Sequence, residues 1–576
     1  MIKKLFPYLD EYKKYAFLTP ICVIIEVILE IFIPFLMAKI IDIGIVNKDL
    51  DYVLKTGGLM VLMALFSTLF GSLSGRFAAM SAAGLAKGIR KHVFEKIQEF
   101  SFSNIDKFST SSLVTRLTTD VNNTQMAFMM TIRILSRAPV MMLSATIMVF
   151  SINAKLASVF LIAVPVLATA LLLIATTAFP RFQTMLKRLD DMNGTVQENL
   201  VGIRVVKSFV REKYEKMKFK DAATRLREAQ VKAERTLVFN MPIMQLTIYS
   251  CIIAILWFGG NMIIVGDMKT GELMSFISYV SSIMISLMMI SMVFVNIVLS
   301  KASVTRIVEV LDEKIDIEDS TAEKEILVEN GDITFENVDF SYSRHEDNLN
   351  LSHINFSIKS GETIGIIGGT GSAKTTLVQL IPRLYDVLHG RVIVGGHDVR
   401  DYSLSTLRDQ VAMVLQKNVL FSGTIKENLM WGNEKATDEE IIAAAKAAEA
   451  HDFIMSFPHG YDTDLGQGGV NVSGGQKQRI CIARALLKHP KIIILDDSTS
   501  AVDTATDSKI RAAFRETLKG TTTIIIAQRI TSVQEADKII VMNDGMIDAT
   551  GTHEELMRDN QIYQEVYESQ QKGVEE

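Results

Sequence analysis

The sequence predicts a multidomain membrane protein, with six membrane-crossing helices in its first half and a soluble α/β domain in its second. Three observations lead there. Six apolar runs before residue 310 each approach the roughly 20 residues needed to cross a bilayer. Near residue 310 the pattern changes to short β-like runs, amphipathic helices and Gly-rich turns. Hydrophobic residues reach 48% and mean hydropathy is +0.25, yet 22% of residues are charged, as a half-membrane, half-soluble chain requires. A chain of 576 residues is also too long for one core. The net charge of −5 offers no basic surface, so no nucleic-acid partner is expected. Cys22, Cys251 and Cys481 lie too far apart to suggest a disulfide framework or a metal site.

The expected division is a transmembrane domain over 1–310, an acidic linker over 311–330 and a soluble domain over 331–576. The amphipathic N-terminus leads into apolar runs at Phe17–Ile40, Thr56–Leu73, Leu135–Ile152, Ala157–Ala178, Val238–Val265 and Leu273–Leu299. The long connections 74–134 and 179–237 carry many cations (Arg90, Lys91, Lys96 and Arg116 in the first, Arg181, Lys187, Arg204 and Lys207 in the second), whereas Ser151–Lys155 is short and nearly free of them. The positive-inside rule then places both long connections and both termini in the cytoplasm. Helical periodicity continues through these connections. The membrane helices should therefore extend into the cytoplasm and turn near Ser103–Phe108 and Gly202–Phe209, where they would touch the soluble domain.

Two features of the membrane half bear on cargo. Glu26 and Glu30 lie one helical turn apart in the first apolar run, where a carboxylate must face the bundle interior, a water-filled cavity or a basic partner. They suit recognition of amphiphilic cations, or a structural pairing with a residue such as Arg137, or the outer mouth. Met284, Met288, Met289 and Met292 make the sixth run an adaptable apolar surface, equally suited to varied ligands and to ordinary packing.

In the soluble half, Gly368-Gly369-Thr370-Gly371-Ser372-Ala373-Lys374-Thr375 follows an apolar strand and precedes a helical pattern, with Thr376 next in line. That context suits a P-loop, in which backbone N–H groups and a helix N-terminus cradle phosphates, Lys374 reaches the β- and γ-phosphates and Thr375 holds Mg²⁺. Ala373 stands where the motif has its second glycine; a methyl group is small, and helical geometry there would accept it. The buried-strand pattern Ile492–Asp496 ends in a carboxylate placed to support Mg²⁺. Gln416 closes a strand and suits contact with Mg²⁺ or an attacking water. Between these motifs, Val472-Ser473-Gly474-Gly475-Gln476 places Ser473 to cap a helix whose glycines and N-terminus suit a second nucleotide's γ-phosphate. Tyr342, upstream, reads either as an adenine-stacking ring or as an ordinary surface tyrosine.

With these residues in family order, the chain resembles an ABC exporter half-transporter: P-loop, Q-loop Gln416, a Ser-Gly-Gly-Gln signature, Walker B Asp496 and a D-loop at Ser500-Ala501-Val502-Asp503. The resemblance spans essentially the whole chain. It implies ATP and Mg²⁺ as ligands and two chains clasping two ATP molecules, each held by one chain's P-loop and the other's signature.

The chain departs from that family at telling places. Asp497 follows Asp496 where the family has a catalytic glutamate, so its carboxylate is one methylene short of the reach general-base work needs. Gln528 replaces the switch histidine; it can hydrogen-bond a γ-phosphate but cannot carry an imidazolium's charge. Gln467 replaces a glutamate and Val472 a leucine, milder changes. The signature itself is otherwise standard. This pattern resembles the degenerate-site subunit of bacterial heterodimeric multidrug exporters. It implies a partner carrying the glutamate and histidine, amphiphilic substrates and a multi-pass plasma-membrane location. A lipid or peptide exporter shares these motifs, and a nucleotide-gated regulator that never transports also fits weak hydrolysis.

Overall fold

The structure, a computed structural model, describes residues 2–319, 326–498 and 502–575. The chain divides into two compact units, Met1–Glu99 with Ser109–Glu313, and Phe100–Phe108 with Lys314–Glu576.

The first unit is helical: α1 (Lys13–Lys39), α2 (Leu50–Glu99), α4 (Val121–Ile152), α5 (Ala154–Val201), α6 (Ile203–Ser208), α7 (Glu212–Leu237), α8 (Asn240–Val265) and α9 (Thr270–Asp312), with the short α3 (Phe102–Phe108) lying in the second unit. Among the described residues, six helical stretches are long and apolar enough to cross a membrane. The continued periodicity is seen directly. At 50 and 48 residues, α2 and α5 run well past the length of an apolar span, to about 75 Å at 1.5 Å per residue. The fifth apolar run begins two residues late, because Val238 and Phe239 form the turn between α7 and α8. Asn153 caps α5, its side chain accepting from the amides of Lys155 and Leu156 at 3.1 Å, which makes the short Ser151–Lys155 connection a tight corner.

The helices meet in one apolar core, where Val23, Val27 and Ile31 of α1 join Met141 and Ala145 of α4, Phe160 of α5, Ile255 of α8 and Phe276, Ile283 and Met284 of α9. Within it the Tyr279 hydroxyl donates to the Ile31 carbonyl at 2.7 Å and the Ser275 hydroxyl to that of Pro34 at 2.7 Å. These bonds satisfy polar groups where no water is at hand. On the outside, α2 exposes Val61, Leu62, Leu65 and Leu69, and α5 exposes Leu161, Ile162, Leu172 and Leu173. Aliphatic surface this extensive suits lipid contact.

The second unit is built on two sheets. Strands β1 (Ile333–Phe340), β2 (Leu351–Ile358), β4 (His389–Val394) and β5 (His397–Asp398) form an antiparallel sheet in the order β2-β1-β4-β5. Strands β3 (Thr363–Gly368), β6 (Val411–Val414), β9 (Ile492–Asp496), β10 (Thr522–Ile526), β11 (Lys538–Asn543) and β12 (Met546–Gly551) form the other, in the order β12-β11-β3-β10-β9-β6. It is parallel from β11 through β6. A small ribbon joins β7 (Gly423–Thr424) to β8 (Asp464–Leu465). β9 is buried along its whole length, as a central parallel strand covered on both faces must be.

Residues 314–319 are tied into this unit rather than hanging as a free connection. The Asn104 side chain donates to the Lys314 carbonyl at 3.0 Å, Ser103 donates to Asp316, and the Leu404 amide donates to Asp319 at 2.7 Å. Residues 311–312 close α9, and 320–325 lie outside the described residues.

Candidate functional site

A parallel sheet sends its strand ends to one edge, and ligands of open α/β sheets bind there. Here the order β3-β10-β9-β6 sets four strands side by side, so the loops following residues 368, 526, 496 and 414 emerge together. Those loops carry the P-loop, Gln528, Asp497 and Gln416.

The P-loop leaves β3 at Gly368. A Cβ there would sit 2.2 Å from the Met542 carbonyl oxygen of β11, so only glycine fits. Gly371 turns the loop at φ +87°, and Ala373 lies at φ +66°, ψ +26° as the N-cap of α10 (Lys374–Gln379). This corrects the expectation of helical geometry at 373. The position is left-handed, so the motif's glycine has a backbone reason, and alanine costs about 1–2 kcal/mol there. Gly369, Thr370 and Ser372 complete the turn, with the Ser372 hydroxyl donating to the Gly369 carbonyl at 2.9 Å. The Lys374 ammonium crosses the loop's mouth, donating to the carbonyls of Gly368 (2.9 Å) and Gly369 (2.8 Å). Burial lowers its pKa, opposed by the charges of Asp496 and Asp497.

Thr375 and Asp496 face each other, the hydroxyl donating to Asp496 Oδ1 at 3.1 Å. The other oxygen, Asp496 Oδ2, is buried without a hydrogen-bond partner. Burial also raises the Asp496 pKa, with a smaller push from Asp497, against the Thr375 bond and Lys374. A hydroxyl beside a carboxylate with one free buried oxygen is the all-oxygen donor set that Mg²⁺ takes.

Next along the sheet, the Asp497 carboxylate accepts from two amides at one oxygen: Gln528 Nε2 at 2.8 Å and Gln416 Nε2 at 3.3 Å. Asp497 is 9% exposed and its own N–H donates to the Ile526 carbonyl at 3.0 Å, so β10 holds its backbone while the loop after β10 holds its side chain through Gln528. Gln416 stands two residues beyond β6 rather than at its end.

Tyr342 lies on the other side of the P-loop helix. Its hydroxyl shares a hydrogen bond with Thr376 Oγ1 at 3.0 Å and donates to Gln379 at 3.3 Å, while the residue as a whole is 46% exposed. Tyr342 packs edge-on to Phe340 and to Tyr385, with centroids 4.9 and 5.2 Å apart. Tyr385, which the sequence reading passed over, extends this contact: its hydroxyl donates to Asp106 of α3 at 2.9 Å. The expected contact between the turn near Ser103–Phe108 and the soluble domain is thus present, within the second unit. The other turn, α6, exposes Val205 and, just beyond it, Phe209 and Val210.

Ser473 caps α11 (Gly474–Leu487) in a reciprocal box: the Gln476 amide donates to Ser473 Oγ at 3.3 Å and the Ser473 amide to Gln476 Oε1 at 2.8 Å. Ser473 is exposed and Gly475 half-exposed. Among the described residues no hydrogen bond joins this signature to the chain's own P-loop. Asp503 caps α12 (Thr504–Thr517), accepting from the Thr506 amide at 3.0 Å, a bond that lowers its pKa. Ser500 and Ala501 of the D-loop lie outside the described residues.

In the membrane unit, Arg137 of α4 reaches both acidic residues of α1, donating from Nη1 to Glu26 and from Nη2 to Glu30 at 2.6 Å. The structural pairing is therefore the one observed. Glu26 Oε2 is buried without a partner. Gly71 of α2 lies against the same carboxylate, where a Cβ would come within 3.0 Å of Glu26 Oε1. On α9, Met284 is fully buried in the core, Met288 is half-buried and Met292 is 54% exposed.

Comparison with known proteins agrees with this architecture. Residues 16–288 match the ABC transporter transmembrane region and residues 351–500 match the ABC transporter domain. The chain is 40% identical to the Bacillus subtilis ABC transporter ATP-binding protein YfiB, over 99% of this chain and 98% of that protein. It is 34% identical to the ATP-dependent lipid A-core flippase of Desulfotalea psychrophila, over 84% of each. A bacterial Atm1-family ABC exporter solved with ATP bound superposes with a TM-score of 0.83 at 26% identity, covering 98% of both chains. Six apolar helices and an ABC ATP-binding domain in one chain make this protein a member of the ABC transporter family, an exporter-type half-transporter.

Proposed function

We propose that this chain is the degenerate-site subunit of a heterodimeric, ATP-driven ABC exporter in a bacterial plasma membrane, with both termini and the ATP-binding domain cytoplasmic. The observation that carries the reading is Asp497. The carboxylate at the family's general-base position is short, and it is engaged by the amides of Gln528 and Gln416. A base must first reach the proton it removes, and Asp497 reaches its neighbours instead.

Within that reading, Lys374 and the P-loop amides bind the ATP phosphates, Thr375, Asp496 and Gln416 hold Mg²⁺, and Tyr342 offers its open ring face to adenine. Bound Mg²⁺ neutralises phosphate charge during transfer. Gln528 supplies a neutral hydrogen bond to the γ-phosphate. The signature, with Ser473 exposed, Gly475 and Gln476 half-exposed and Asp503 nearby, serves the nucleotide on the partner's P-loop. The partner subunit supplies the glutamate and histidine that this chain lacks.

For cargo, the reading is amphiphilic small molecules, with Glu26, Glu30, Met288 and Met292 on the pathway. The triad formed with Arg137 leaves one carboxylate charge unmatched within it, which suits a cationic group. A lipid cargo is the second reading. It is favoured by the similarity to a lipid A-core flippase and by Arg137 occupying both carboxylates. Transport of matched cationic and neutral dyes and of labelled lipid in vesicles separates the two.

The test of the degenerate site is restoration. The chain purified alone should hydrolyse ATP slowly, and Asp497→Glu combined with Gln528→His should raise that rate by about a hundredfold, the usual worth of a placed general base. Robust turnover by a verified wild-type homodimer, with no gain in the double variant, would sink the proposal.

A further inference from the structure

The C-terminal helix α13 (Gln561–Glu575) makes a contact that no motif predicts. Gln570 grips the loop after β10 at two points: its Nε2 donates to the carbonyl of Gln528 at 2.7 Å, and its Oε1 accepts from the amide of Ile530 at 2.9 Å. One side-chain amide thus brackets Arg529, the residue directly after the switch residue, using both its donor and its acceptor. The helix is anchored for this. Tyr563 of α13 is fully buried in a core with Ile530 and Val533 of the switch segment, Ala527 before it and Ile367 of the P-loop strand, and Val566 and Tyr567 pack against that core.

The bracket has a direct consequence for the nucleotide site. Gln528 is the residue whose own amide donates to Asp497. Its backbone is otherwise a loop between β10 and the short turn at Ile530–Ser532. Side-chain direction on a loop is only as definite as the backbone beneath it, and here Gln570 fixes the two peptide groups that directly follow the switch residue's Cα.

We propose that Gln570 is a positioning residue for the switch loop, through which the C-terminal helix sets the preference of this chain's P-loop site for ATP over ADP. The inference rests on the reading of Gln528 as a γ-phosphate contact. ADP lacks that phosphate, so its affinity should not depend on the bracket.

Full-length protein in detergent, titrated with a non-hydrolysable ATP analogue and with ADP, both with Mg²⁺ and in competition with a fluorescent nucleotide, tests this. Gln570→Met keeps the volume and loses both hydrogen bonds; Gln570→Glu keeps the acceptor for the Ile530 amide and loses the donor. The expected result is a loss of about tenfold in ATP-over-ADP preference for Gln570→Met, the worth of one well-placed hydrogen bond to a charged group, with ADP affinity unchanged. Gln570→Glu should fall between it and wild type. Gln528→Ala should show the same loss, and the double variant Gln528→Ala/Gln570→Met no further loss. A wild-type preference in Gln570→Met beside a lowered one in Gln528→Ala would overturn the bracket. Equal weakening of both nucleotides with a lowered melting midpoint would reduce Gln570 to a structural role and overturn it too. An unchanged preference in Gln528→Ala would instead overturn the γ-phosphate reading on which the inference stands.

Discussion

At the scale of single residues, the nucleotide site shows two kinds of departure from its family. Ala373 is a change in backbone tolerance. The position is left-handed, yet the loop around it still closes on Lys374, so Lys374→Ala should abolish nucleotide binding, as measured by photolabelling with an azido-ATP. Asp497 is a change in chemistry. Its carboxylate already serves Gln528 and Gln416, so Asp497→Asn in the proposed heterodimer should leave most ATPase activity intact. Under the same proposal, Gly475→Asp would set a carboxylate beside the phosphate bound at the partner's site. Losing electrostatic stabilisation of that kind costs roughly a hundred- to a thousandfold in rate, so turnover should nearly stop while ATP still binds. ATPase rate and nucleotide occupancy of the two variants in one preparation decide this; the reverse pattern would mean the roles of the two sites are exchanged.

Among the elements, α1 and α4 are joined by a charged contact that both membrane helices must satisfy together. Arg137 is 24% exposed at its side chain and Glu26 11%. Removing the guanidinium leaves two carboxylates against apolar helices. Arg137→Met should therefore cost about 3 kcal/mol, the lower end for breaking a buried pair, read as a lower melting midpoint in detergent. Adding Glu26→Gln and Glu30→Gln should recover much of the loss; no recovery would mean that Arg137 acts elsewhere. The capping of α12 has a pH consequence. The Thr506 amide holds the Asp503 carboxyl below its ordinary value of 3.8. A depressed acid contributes stability above the ordinary value, and that contribution is lost as pH falls through the depressed one. Asp503→Asn keeps an acceptor without a titrating charge, so the acid limb of its pH–stability curve should be shallower than that of wild type.

For the whole molecule, two units with different solvents share one chain, and under the proposed function each carries part of the surface that pairs with a second subunit. Ser473 of the signature is exposed, and α6 with its flanks presents Val205, Phe209 and Val210 to solvent. Apolar side chains on a turn facing water are costly unless covered. Phe209→Asp should therefore weaken co-purification with the proposed partner subunit while leaving ATP binding to this chain unchanged. Loss of ATP binding along with pairing would show that the change unfolds the chain.

Much of this was legible in the sequence, because it is written in local patterns. Apolar length decides the six helices, continuous aliphatic runs mark the buried strands, and the P-loop, Asp496 and the signature are short motifs whose chemistry follows from adjacent residues. The departures at Asp497 and Gln528 were equally visible, since they are identities at known spacings. What the sequence left open was decided by long-range neighbours. Arg137 closes on Glu26 and Glu30 across more than a hundred positions, which only helix packing can choose. Ala373's left-handed backbone comes from the loop it closes and not from its own preference. Gln570, 42 positions beyond Gln528, is an ordinary surface glutamine in any local reading. Only the docking of the last helix beside β10 brings its amide to the switch loop.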